Sequence, residues 1–301
     1  MSANMRLLVL GAGFSGKAIL RELMPSVKAA AGTSRGDGGQ AEIAATGATP
    51  LLYEGQGIGA ELADVMRSAT HLVVSIAPDA TNSDGAYGGD PVLADLAGGL
   101  VERLPALEWV GYLSTVGVYG DQGGAWVDET VPCRPLSKRS LARLAAEQAW
   151  QRTCLGAGLP LAILRLAGIY GPGRNALNNL AAGTARRIVK PGQVFNRIHV
   201  DDIAGAVAHL ATRGQAGIYN IADDRPAPPQ DVVAYAARLM SVDAPPEIAF
   251  DDAPLSPMGR SFYGENKRVS NARIKAAGYQ FLHPDYGTGL DALWKSGAWR
   301  S

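Results

Sequence analysis

The chain is poor in the residues that build metal clusters and disulfide frameworks. Its two cysteines, Cys133 and Cys154, form no C-x-x-C pair, and so few thiols fit a reducing intracellular compartment better than a cross-linked secreted scaffold. Histidine is equally scarce: His71, His199, His209 and His283 are scattered, so no histidine-based metal site is expected. Charge of one sign is missing too, because 28 basic residues balance 28 acidic ones. Without a basic excess there is no electrostatic footprint for nucleic acid or an anionic membrane, and neither partner is expected. No apolar run reaches membrane-spanning length, and the one in "MSANMRLLVLGAG" is too short for a secretory signal. A soluble, cytoplasmic protein is expected. Internal repeats and low-complexity tracts are absent as well.

What is present is regular alternation. "RLLVLGA" reads as a buried strand, "GKAILRELMPS" as a helix ending near Pro25, and "VKAAAGTSR" as a weaker strand. "ELADVMRSA" is helical, "HLVVSIAP" a strand, "PVLADLAGGLVERL" a helix and "LEWVGYLST" a strand. A long amphipathic helix, "SLARLAAEQAWQRTC", precedes "LPLAILRLAGIYG", a strand and loop. Such alternation predicts an α/β fold, a doubly wound parallel sheet covered on both faces. After Gly171 loops and short strands mix, and prolines crowd "RPAPPQ", "APPE" and "APLSP". The expected organisation is a dinucleotide-binding domain over residues 1–170, completed by about 197–223. A smaller, discontinuous C-terminal substrate lobe takes about 171–196 and 224–301.

The glycine loop "GAGFSGKA" admits two readings. Gly11, Gly13 and Gly16 fit G-x-G-x-x-G, while Gly11, Gly16 and Lys17 fit most of a nucleoside triphosphate loop. The second needs a hydroxyl after Lys17 to hold magnesium, and Ala18 offers only a methyl. The dinucleotide reading needs a strand, three glycines and a helix, all present. Gly11 makes the turn, Gly13 lets the backbone approach a pyrophosphate, and Gly16 lets helix and strand pack closely. Lys17 is then a solvated helix residue. An NAD site usually has Asp or Glu at the end of the second strand, whereas "GTSRGDGG" has Ser34 and Arg35. A hydroxyl and a planar guanidinium suit a 2′-phosphate, which favours NADP over NAD.

Several later motifs, in order, resemble the short-chain dehydrogenase/reductase superfamily in its extended branch of epimerases and dehydratases. They are "LEWVGYLSTVGVYGD", "LRLAGIYGPGRN", "FNRIHVDDIAGAVAHLA", "GIYNIADD" and "NKRVSNARIKAAGY". The resemblance implies a Rossmann domain whose cofactor is held by Gly11, Gly13, Phe14, Ser15, Gly16, Ser34, Arg35, Ala77 and Ile169. It also implies substrate contacts from Tyr263, Asn266, Lys267 and Arg268. The family's chemistry uses a Ser/Thr together with a Y-x-x-x-K pair on one helix face, where the lysine charge favours tyrosinate. Thr115 matches the Ser/Thr, and Asp90 falls about where the family often has asparagine. Counting back from Glu147, however, puts Arg143 at the lysine position and Arg139 at the tyrosine position. Arginine keeps its proton at any usable pH and cannot replace tyrosine. Arg143 can supply a fixed charge to the cofactor, and Arg139 can hold an anionic substrate. Alternatively, both form a solvated stripe with Glu147.

The literal Y-x-x-x-K of "FYGENK", Tyr263 to Lys267, has a glycine inside it and no matching helix. It reads as coincidence for the hydride step. Tyr119 and Asp128 are further proton-donor candidates between which the sequence does not choose. His199, beside Asp201 and Asp202, reads as a loop-fixing residue. Two functions stay open. One is an NADP-dependent oxidoreductase or epimerase-like enzyme with an altered acid/base group, acting on a small-molecule substrate. The other is a non-catalytic dinucleotide sensor, supported by the joint loss of Tyr and Lys. Members of that branch often pair through the helices matching "PVLADLAGGLVERL" and "SLARLAAEQAW", so the resemblance allows a homodimer, while core packing accounts for the same apolar faces equally.

Overall fold

The structure, a computed structural model, describes residues 4–82, 85–97 and 99–300. The chain folds into two compact units: Met1–Val118, Pro135–Arg165 and Ile203–Tyr219 form the first, and Tyr119–Arg134, Leu166–Asp202 and Asn220–Ser301 the second. This division differs from the sequence-based one chiefly in giving 119–134 and 197–202 to the second unit.

The first unit is built on seven strands: β1 (Arg6–Leu10), β2 (Ala29–Ser34), β3 (Thr49–Leu52), β4 (His71–Val74), β5 (Trp109–Thr115), β6 (Leu161–Leu166) and β7 (Gly217–Ile221). β6 and β7 run on by their last residues into the second unit. Their order is β7-β6-β5-β4-β1-β2-β3. The β1–β2, β1–β4, β2–β3 and β4–β5 pairs are parallel, with Leu7 level with Ala30 and His71. β1 and β4 are buried along nearly their whole length, which is why they read as unbroken apolar runs. β2 is weak in propensity but small in side chain. A Cβ on Gly32 would lie 2.8 Å from Leu20 Cδ1 and 2.9 Å from Ala12 Cβ, so the strand takes the first helix at close range.

The helices of this unit are α1 (Phe14–Leu23), α2 (Asp37–Ala44), α3 (Ala60–Ser68), α4 (Pro91–Asp95), α5 (Leu100–Arg103) and α6 (Lys138–Ala157). The single helix expected over "PVLADLAGGLVERL" is in fact two short ones, Pro91–Asp95 and Leu100–Arg103, with Gly99 the N-cap of the second; Gly98 lies outside the described residues. Trp150, Tyr112, Leu93, Leu72 and Val110 centre the larger core cluster. No described helix is long and apolar enough to cross a membrane.

The second unit has three short parallel strand pairs: Gly168–Tyr170 with Arg197–His199, Arg187–Val189 with Glu247–Ala249, and Trp126–Val127 with Arg268–Val269. Its core gathers Tyr170, Leu177, Val232, Tyr286, Leu290 and Trp299.

Candidate functional site

The order of the sheet reverses at β1, which has β2 on one side and β4 on the other. In open α/β sheets, ligands bind beyond the carboxyl ends of the strands at such a reversal. The glycine loop leaves β1 at that point, and each glycine meets a different constraint. Gly11 has φ +86°, and a Cβ on it would lie 2.7 Å from Ile76 Cγ1, so nothing larger fits against the β4 exit. A Cβ on Gly16 would lie 3.0 Å from Gly11 O and 3.1 Å from Val9 Cγ1, which presses α1 against β1. A Cβ on Gly13 would meet nothing within 4 Å, so this backbone borders open space. Gly13 is also the N-cap of α1 and offers no side chain to the first-turn N–H groups. An uncapped helix start beside open space fits a pyrophosphate. Thr33 fixes the loop from the neighbouring strand: its Oγ1 accepts from Gly11 N at 2.8 Å and its carbonyl from Ala12 N at 2.8 Å. Phe14 and Ser15 open α1, with Ser15 buried. Lys17 is partly covered and ion-paired with Glu42 of α2, not simply solvated.

At the end of β2, Ser34 donates from Oγ to Gly36 O at 2.9 Å and shapes the turn, while the adjoining Arg35 is exposed. Ala77, exposed, follows β4. Ile169 lies in the second unit, half-buried, opposite Ile198 in its strand pair.

The next strand along, β5, ends in Ser114-Thr115, and the two side chains take opposite faces. Ser114 is buried and donates to Glu147 Oε1. Thr115 is half-buried, and its Oγ1 accepts from Gly117 N at 3.1 Å. Glu147 is not part of a solvated stripe with the two arginines. It is 1 % exposed and takes a two-pronged contact from Arg165 of β6, Nε at 3.2 Å and Nη2 at 2.8 Å. Arg165 was missed in the sequence; the signal for it is an arginine inside the apolar run "LAILRLAG", which calls for a buried anion without saying which.

One turn earlier on α6, Arg143 reaches the strand ends. Its Nη1 is shared among Leu113 O at 2.9 Å, Tyr112 Oη at 3.0 Å and Ile76 O at 3.3 Å. All the hydrogen bonds shown for Arg143 run through this one nitrogen. Burial pushes the pKa of Tyr112 well up, so its phenol stays protonated beside the guanidinium. Arg139, a further turn back, is exposed. Asp90 has a structural role: it caps α4 by accepting from Leu93 N at 3.0 Å and takes Trp150 Nε1–H at 3.0 Å. Burial raises its pKa.

Neither alternative proton donor is placed for chemistry. Tyr119 is fully buried with its hydroxyl on Asn220 Oδ1 at 2.7 Å, and Asp128 is exposed in a turn closed by Thr130. His199 fixes a helix start as expected, its Nδ1 accepting from Asp201 N at 3.2 Å.

Of the four residues expected at the substrate, three hold backbone in the second unit. Asn266 accepts from Val194 N and donates to Gly192 O; Lys267 Nζ donates to Gly120 O at 2.7 Å and pairs with Glu265. Arg268 donates to Gly124 O, and Tyr263 is buried against Phe195 and Phe250. Tyr263 stands just beyond the helix Pro257–Phe262 and Lys267 lies outside it, so the literal Y-x-x-x-K shares no helix face.

Comparison with known proteins agrees with this geometry. A conserved protein of unknown function from Silicibacter pomeroyi DSS has 47% sequence identity and a TM-score of 0.88, over 97% of this chain and 99% of that one. Protein YeeZ of Escherichia coli (strain K12) is 28% identical over 227 residues, 74% of each chain. The fold is shared with dTDP-glucose 4,6-dehydratase from Bacillus anthracis str. Ames in complex with NAD, at 19% identity and a TM-score of 0.76 over 98% of this chain and 96% of that one. The family model for NAD dependent epimerase/dehydratase proteins matches residues 7–222, from the first strand to the end of the seventh. With its glycine loop at the reversal of the sheet, the chain belongs to the NAD dependent epimerase/dehydratase family.

Proposed function

We propose that this family member is an NADP-dependent oxidoreductase or epimerase-like enzyme with an altered acid/base group, acting on a small molecule. The observation that carries the reading is the uncapped start of α1 at Gly13, bordered by open space, with Ser34-Arg35 ending the adjacent strand. Bound there, the nicotinamide group supplies or accepts a hydride. Arg35 takes the 2′-phosphate in its planar fork, and Gly13 gives the pyrophosphate close access to the α1 N–H groups. Thr115 polarises a substrate oxygen through its hydroxyl. Arg143 holds a permanent charge at the strand ends, anchored through Nη1, and would offer its remaining donors to the cofactor ribose. Arg139 draws an anionic group of the substrate. Asn266 and Lys267 support the segment beside them. Self-association through α4, α5 and α6 belongs to the same reading. There a groove is lined by Leu93, Leu96, Leu100, Val101, Glu102 and Thr153, and Leu155 of α6 is exposed.

The test is a direct titration of the purified protein with NADPH and NADH, wild type beside Arg35→Ala. Tight NADPH binding that falls at least tenfold in the variant, with NADH little changed, supports the 2′-phosphate assignment. Equal loss for both nucleotides rejects NADP selectivity. No binding of either rejects the enzyme reading.

A further inference from the structure

The second unit brings together two of the scattered histidines. His199 ends the strand Arg197–His199, and the ring of Tyr170 opposite meets it edge-on with centroids 5.1 Å apart. The His283 ring lies against it with centroids 4.0 Å apart and planes inclined at 51°. This meeting is held by the fully buried Asp202. Its Oδ1 accepts from Leu282 N at 2.7 Å and Tyr279 Oη at 2.9 Å, and its Oδ2 from His283 N at 2.9 Å. The segment carrying His283 is therefore fixed to the start of the helix Val200–Thr212.

Polar satisfaction is incomplete where the rings meet. Among the described residues, His199 Nε2 and His283 Nδ1 are buried without a hydrogen-bond partner, an expensive state for two imidazoles in contact. Beside them stands Asp201, whose side chain is 53% exposed and whose Oδ2 is 3.5 Å from His199 Nδ1. One coordinating atom from each of His199, Asp201 and His283 lies within 4.8 Å of the other two.

We propose that His199, Asp201 and His283 bind a divalent transition-metal ion of the zinc class, with water as the fourth ligand. In a tetrahedral site with bonds of about 2.0–2.1 Å, ligand atoms stand about 3.4 Å apart. The His199–Asp201 pair already has that spacing. His199 accepts at Nδ1, so its neutral ring carries the proton on Nε2, which the ion does not engage; the ion takes the Nδ1 lone pair in place of the 3.2 Å contact from Asp201 N, and the orphaned nitrogen left to ligate it is His283 Nδ1. The exposed Asp201 side chain can turn to close the remaining distance and admits water. Two nitrogens and one oxygen select zinc, cobalt or nickel over magnesium and calcium, which favour oxygen shells. The ion clips the start of one helix to the segment preceding the helix Tyr286–Ser296.

The test uses the full chain without a histidine tag, stripped with chelator. It is titrated with zinc chloride in a calorimeter and with cobalt(II) followed by visible absorption. The expected result is one equivalent per chain, a tetrahedral cobalt spectrum, and a zinc-dependent rise in thermal midpoint. His283→Ala and Asp201→Asn should each weaken binding at least tenfold and abolish that rise. Asp201 is exposed, so Asp201→Asn carries the test if His283→Ala does not fold. Absence of saturable uptake overturns the site, as does uptake unchanged in the folded variants.

Discussion

Gly11, Gly13 and Gly16 lie within six residues, yet the reasons for having no side chain differ at each. Gly11 needs both its positive φ and the space beside Ile76. Gly11→Ala should therefore lower stability by roughly 1–3 kcal/mol in urea unfolding, whether or not nucleotide is present. Gly13 has φ −75° and open space where a Cβ would stand. Gly13→Ala should leave unfolding nearly unchanged while weakening dinucleotide binding at least tenfold, because the methyl projects where a pyrophosphate would lie. Equal effects of the two substitutions on stability would remove the distinction. The turn at Gly11 and the close packing at Gly16 were legible in the spacing G-x-G-x-x-G, since both are local. The partner of Glu147 was not. A helix count placed that glutamate in register with Arg143, but its buried partner, Arg165, comes from a strand brought in by the sheet.

At the scale of elements, α6 shows what a long helix contributes beyond its own propensity. Ser137 caps its start and Gly158, at φ +65°, ends it. Between them Ala146, Ala149, Trp150 and Cys154 enter the core. Glu147 ties the helix to β5 through Ser114 and to β6 through Arg165. Removing one member of a buried pair leaves an uncompensated charge, so Arg165→Met should cost about 3–5 kcal/mol. Adding Glu147→Gln should recover part of that loss, because the stranded carboxylate is gone. Urea unfolding of the two variants decides this, and a cost under about 1 kcal/mol for Arg165→Met would mean the pair is not a structural tie. The same pair turns Ser114 inward and leaves Thr115 on the other face, half-buried. Helix α4 shows the opposite lesson: an apolar pattern ran on in the sequence, but the helix ends at Asp95 and a second one starts at Leu100.

For the whole molecule, ligand linkage gives a global prediction. A dinucleotide that binds only the folded chain should stabilise it by about 2.7 kcal/mol at a hundredfold excess over Kd. The thermal midpoint should then rise with nucleotide concentration, and a midpoint independent of NADPH would remove the cofactor reading. Strand and helix alternation, the buried central strands and the dinucleotide loop were fixed by the sequence itself. Each depends on neighbours a few residues apart, where periodicity, φ preference and side-chain size act directly. Tertiary structure alone decided that Glu147 meets Arg165, that Arg143 bonds the ends of β4 and β5, and that His199 meets His283. Those contacts join residues far apart in the chain, and they exist only once the cores have closed and a buried charge or ring must take whichever partner the fold supplies.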